Sequence, residues 1–178
     1  AMRNAVCFLS LSLFAGTTAA AAVSAECQRE GTTLKFIDGI AFESARDEKG
    51  VVTLSIYLAT QPIDRKQLAQ CTDCGGELPD NTFMSPRRDW IGAQFKAKKG
   101  GWLSAEYVGG EMDLLSVHGV DYFAPDGVQN GIAAGNERMT FEVNDGKRLV
   151  GTLSSAEGDY WGATCTGRFD IAVGWPQP

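Results

Sequence analysis

Histidine is almost missing from this chain. His118 is the only one among 178 residues, set in Ser116-Val-His-Gly119 where a strand is expected to end. A catalytic triad or a histidine-centred metal site needs that ring beside specific partners. No Gly-x-Ser-x-Gly elbow is present to supply a nucleophile. A single histidine near a turn therefore reads as a surface or satisfied residue. Positive charge is also scarce. Of 16 Lys and Arg only Arg3 precedes residue 26, so residues 26–178 carry 15 cations against all 22 acids, a net charge of −7. An acidic domain of this kind has no general affinity for nucleic acid or for anionic membrane surfaces. Repeats, linkers and low-complexity tracts are absent after residue 25 as well, which leaves one domain.

Charge of either sign is missing from Ala5 to Ala25. Met2 and Arg3 give a short positive start, Ala5 to Phe14 (AVCFLSLSLF) is an apolar stretch, and small residues follow down to Val23-Ser24-Ala25. This is the pattern of a secretory signal peptide over residues 2–25, with the cut expected between Ala25 and Glu26 and a cut after Ala22 as the alternative. The stretch could just span a bilayer as a helix. Its serines, threonines and alanines make the second half weakly apolar, however, and no basic stop-transfer cluster follows. Lipidation at Cys27 is disfavoured because Glu26 stands where a small residue is required. Residues 26–178 are then a single exported domain, periplasmic or secreted, with no stable membrane anchor after processing. Its 153 residues suffice to bury a real core.

Four cysteines follow the leader: Cys27, Cys71, Cys74 and Cys165. An even number in an exported chain points to disulfides, with three possible connectivities. The preferred one is Cys27–Cys165 with Cys71–Cys74. Cys71-Thr-Asp-Cys74 is a loose match to a redox C-x-x-C, but Gly75-Gly76-Glu-Leu-Pro79 after it reads as a loop rather than a helix start.

The hydrophobic period is mostly that of strands. Val52, Leu54, Ile56 and Leu58 alternate with polar positions, and Thr33–Ile37 and Gly39–Glu43 are shorter strand candidates. Pro62 to Gln70 is the one helical segment, a short connector. Cys71 to Arg88 reads as a long loop. Trp90–Ala97 and Trp102–Val108 are expected as strands joined by a hairpin turn at Lys98-Lys99-Gly100-Gly101. Leu114–Val117 and Val120–Phe123 are weaker strands, and Pro125–Asn136 is loop-like. Met139–Val143 and Arg148–Ser154 flank Asp145-Gly146, the clearest hairpin signal in the chain. Thr164–Val173 closes the sequence with Cys165, Gly167, Phe169, Ile171 and Val173 on one face. Together these predict an all-β domain with one short helix, an antiparallel β-sandwich or small β-barrel of roughly eight to ten strands.

Candidate sites are sparse. Asp126, Asn130, Gly131 and Glu137 match four places of a calcium-binding EF-hand loop, but Val128 and Ala133 break it and no helices flank it. No metal or cofactor is expected. Glu106 would share a strand face with Trp102, an acid beside an aromatic, as glycoside cleavage uses. Arg87, Arg88, Lys96, Lys98 and Lys99 cluster, whereas Gly100 to Glu137 holds six acids and no cation. Charge-flanked aromatics are common at interfaces. The binding candidates are accordingly Arg87, Arg88, Trp90, Lys96, Trp102, Glu106 and Trp161, and no catalytic residue is assigned. The expectation is a non-catalytic exported binding protein whose partner is another periplasmic or secreted protein. Inhibitors of cell-wall hydrolases and immunity proteins share this general build, which is analogy of fold alone. A carbohydrate or cell-wall domain would instead need coplanar exposed aromatics near Glu106. A lipid or small-molecule carrier would need an apolar cavity larger than packing leaves.

Overall fold

The computed structural model describes residues 21–29, 32–98, 100–119, 131–132, 137–155 and 164–178. Among them the chain forms ten strands and two α-helices. The strands are β1 (Ala22–Arg29), β2 (Thr32–Phe36), β3 (Asp38–Arg46), β4 (Val52–Ala59), β5 (Gly101–Val108), β6 (Glu111–Gly119), β7 (Gly131–Ile132), β8 (Glu137–Asn144), β9 (Arg148–Ser155) and β10 (Thr164–Ala172). The helices are α1 (Arg65–Leu68) and α2 (Pro86–Ala97). Two antiparallel five-stranded sheets result, ordered β2-β1-β10-β9-β8 and β3-β4-β5-β6-β7. They do not close into a barrel; the domain is a β-sandwich.

Strand alternation builds the inter-sheet core. Leu34 and Phe36 of β2, Ile56 and Leu58 of β4, Leu103 of β5, Leu149 and Leu153 of β9, and Phe169 and Ile171 of β10 all point inward and are buried together. Each such side chain contributes roughly 1.5–3 kcal/mol on leaving water. Cys27 of β1 stands directly opposite Cys165 of β10, and the two are bonded through the core. The second disulfide joins Cys71, just ahead of the 3-10 turn Thr72–Gly75, to Cys74 inside it. Both pairings are those expected from the sequence. The Asp145-Gly146 hairpin also forms: Gly146 takes φ 78°, and the Asp145 carboxylate accepts the N–H groups of Lys147 and Arg148.

One expectation is overturned. Residues 90–97 are not a strand but the body of α2, so no two-strand hairpin leads into β5 (Gly101–Val108). Ile91 and Phe95 fit both periods, because odd-numbered alternation and a four-residue helical spacing coincide over so short a run. The proline decides: Pro86 stands at the first helical position, where a missing N–H costs nothing. The helix closes as the N–H of Lys98 reaches the Gln94 carbonyl and that of Gly100 reaches Phe95. The expected loop from Cys71 correspondingly ends at Ser85, and the Pro62–Gln70 helix shortens to α1, capped by Asp64.

α2 covers the outer face of the β3–β7 sheet. Ile91 and Phe95 of α2 bury against Ile40 and Phe42 of β3, Tyr57 of β4, Trp102 of β5, and Ile63 and Leu68 around α1. The Gln94 side chain clasps α1, accepting from the Asp64 N–H and donating to its carbonyl. At the other end of the chain, β1 begins at Ala22, so the bond between Ala25 and Glu26 lies inside a strand. Residues 120–123 and most of 125–136 lie outside the described residues. No helix among the described residues is long and apolar enough to cross a membrane.

Candidate functional site

β5 sends Leu103 and Ala105 into the sandwich core and turns Trp102 and Glu106 toward α2. Trp102 is only 4% exposed and stacks on Phe95, ring centroids 5.3 Å apart. It is a packing residue in this fold. Glu106 is 8% exposed, a carboxylate almost wholly removed from water. Arg88 from the first turns of α2 meets it, with Nη1 2.7 Å from Oε1. That contact lies off the hydrogen-bond direction, so charge rather than directed donation holds it. The Thr82 hydroxyl donates to the other carboxylate oxygen at 3.1 Å. Burial pushes the Tyr57 phenol above its ordinary pKa of 10.0, while the charge of Arg88 and its hydrogen bond to Tyr57 pull the other way. The phenol thus stays neutral beside the ion pair.

These contacts fix the root of the 3-10 turn Thr82–Met84, just ahead of α2. Thr82 is tied down by Glu106, and the Arg88 guanidinium lies 5.5 Å from the centre of the Phe83 ring. The next two side chains stand out in water: Phe83 is 82% exposed and Met84 67%. Scattered surface apolar groups need no explanation. Adjacent large ones on a tethered turn are different, because the fold supplies the order that binding would otherwise have to impose. Further along α2, Trp90 is 40% exposed and its Nε1–H donates to the Gln67 carbonyl at 3.1 Å.

The remaining sequence candidates fall as follows. Arg87 donates to the Cys74 carbonyl at 2.8 Å and to the Glu43 carbonyl at 2.7 Å, with its guanidinium 6.0 Å over Trp175. It ties the Cys71–Cys74 turn, β3 and the C-terminal segment to α2, and burial lowers its pKa against the opposing pull of Glu43. Lys96 is exposed on the last turn of α2. Trp161 lies outside the described residues, as do Asp126 and Asn130 of the calcium-like stretch, while Glu137 opens β8. The structure therefore brings Arg88 and Glu106 together and leaves Arg87, Trp90, Lys96 and Trp102 in separate roles. Thr82, Phe83 and Met84 were missed. Their signal was an apolar pair in an otherwise polar loop, Asp80-Asn-Thr-Phe-Met-Ser-Pro86.

A cleft of about 780 Å³ lies at the opposite end of β3, between Ile37, Ile40, Val173 and Trp175. Its one cation, Arg65, is taken up by both oxygens of Asp38 and by the Gly39 carbonyl. No group of three metal-ligating side chains occurs among the described residues. In comparisons with known proteins, no family model, curated protein or solved structure matches the chain.

Proposed function

We propose that this chain is an exported, non-catalytic β-sandwich that binds another periplasmic or secreted protein, in the manner of an inhibitor or immunity protein. One observation carries the proposal: Phe83 and Met84 project from a turn whose root is fixed by Thr82, Arg88 and Glu106. Aromatic anchors presented rigidly are the side chains that dominate protein interfaces. Burying Phe83 alone on a partner would contribute about 2 kcal/mol. Two disulfides fit an oxidising compartment. The burial of Trp102 beside Glu106 weighs against a sugar platform, and the filled inter-sheet core weighs against a carrier.

The test is an affinity pull-down from periplasmic extract with the oxidised domain, run beside a Phe83→Ser/Met84→Ser variant. One protein enriched by the parent and lost with the variant is the expected result. Equal enrichment by both would remove the turn from the interface. Retention on peptidoglycan with no protein enriched would replace the proposal by the carbohydrate alternative.

A further inference from the structure

The peptide bond at which a leader would be removed is ambiguous in the sequence. A peptidase that accepts small side chains at the first and third positions before the cut is satisfied by Val23-Ser24-Ala25, and equally by Ala20-Ala21-Ala22. The fold separates the two.

β1 pairs with β10 through Ala22↔Asp170, Val23↔Phe169, Ser24↔Arg168 and Ala25↔Gly167 before it reaches Cys27↔Cys165. Ala25 is 6% exposed within the inter-sheet core, and Val23 packs against the same core. Gly167 shows how close the two strands lie. It sits at φ 144°, and a Cβ there would fall 2.2 Å from the Ala25 Cα and 2.4 Å from the Ser24 carbonyl oxygen. A side chain at 167 is thus excluded by residues 24 and 25 themselves. β10 is also interior to its sheet, flanked by β1 and β9. Cutting after Ala25 would strip its partner along Gly167–Asp170 and leave backbone donors and acceptors unpaired beside the core.

From this geometry we infer that the mature domain begins upstream of Glu26, and that processing hydrolyses a bond between Ala20 and Val23, at the latest Ala22–Val23. Water is the co-reactant: its hydroxyl goes to the carbonyl carbon of the residue before the cut, and its proton to the departing nitrogen, which becomes the new α-amine. The inference rests on the export proposed above and concerns the position of the cut. Residues 23–25 then belong to the folded product rather than to the leader.

The chain from Met2 is expressed in an exporting bacterial host, and the periplasmic and cytoplasmic fractions are read by N-terminal sequencing and intact mass. A periplasmic product starting at Ala21, Ala22 or Val23 is expected. A periplasmic product starting at Glu26 would overturn the position of the cut and leave export standing. Intact Met2 confined to the cytoplasm would overturn export, and the cut with it. A second measurement compares domains started at Val23 and at Glu26, each released from a fusion at a defined site. The Glu26 form should unfold at lower urea and exchange its β10 amides faster; identical midpoints and exchange would overturn the structural basis for an early cut.

Discussion

The two faces of the β3–β7 sheet are built on different terms. The inner face is apolar at its described positions: Ile56, Leu58, Leu103 and Ala105 meet the other sheet, on which Cys27–Cys165 bonds the neighbouring strands β1 and β10. The outer face mixes aromatic packing, Phe42, Tyr57 and Trp102 under α2, with a buried polar set of Ser44, Ser55, Thr82 and Glu106. The Ser55 hydroxyl donates to Ser44 at 2.7 Å, and Glu106 stands opposite Ser55 in register. Apolar burial stabilises without regard to direction. A buried ion pair gives little net stability but penalises every arrangement that separates its members. One face holds the domain together; the other places a turn.

The sharpest way to break this contrast is to cut the inner staple. Replacing Cys27 and Cys165 by alanine should cost up to about 5 kcal/mol by loop entropy, against about 2 for Cys71 and Cys74. Urea midpoints should fall in that order, and equal losses would dissolve the distinction. Leu103→Ala, at a fully buried inner position, should cost about 3 kcal/mol through the cavity it leaves. On the outer face Glu106→Ala should cost about 2 kcal/mol, since Arg88 keeps some contact with water. It should also speed amide exchange in residues 80–85. The double change Arg88→Met/Glu106→Leu should restore most of that stability without restoring slow exchange in the turn. Recovery of both would make the pair a mere filler.

Acid sharpens the comparison further. Burial would raise the Asp38 carboxyl, but Arg65 and the N–H groups of Ile63 and Gly39 outweigh it and hold the pKa below the ordinary 3.8. Because the folded value is depressed, the stability it supplies is fully present above the unfolded value, near 3.9. It is lost as pH falls through the folded one. Asp38→Asn should therefore lower stability at neutral pH and flatten its decline below about pH 4, read from urea midpoints across that range. The smallest effect on folding belongs to the most exposed large apolar side chain among the described residues. Phe83→Ala should change stability by less than about 0.5 kcal/mol while weakening partner binding at least tenfold, near the 1.4 kcal/mol expected of an anchor. A large loss of stability there would mean that Phe83 packs rather than projects.

The inner face was legible in the residues. Val52–Leu58, Thr164–Val173 and the Asp145-Gly146 turn carry two-residue alternation and turn chemistry strong enough to give strands, hairpin and sandwich. That the four cysteines pair was legible in their even count, whereas the pairing itself was a preference among three connectivities that the structure bears out. The outer face was not legible. Ile91 and Phe95 satisfy helix and strand spacing alike, so residues 90–97 read as a strand, and no local pattern shows that α2 covers Trp102 and Glu106.

By itself, then, the sequence determined what depends on neighbours a few residues apart: strand period, turn type, charge balance and the presence of a leader-like stretch. Tertiary structure alone decided which strand face lies beneath α2, and hence that Glu106 meets Arg88, that Phe83 and Met84 stand free, and that Ala25 seats against Gly167. Those outcomes join residues from eighteen to 142 positions apart. No local pattern records them, because burial is a property of what packs against a residue rather than of the residue itself.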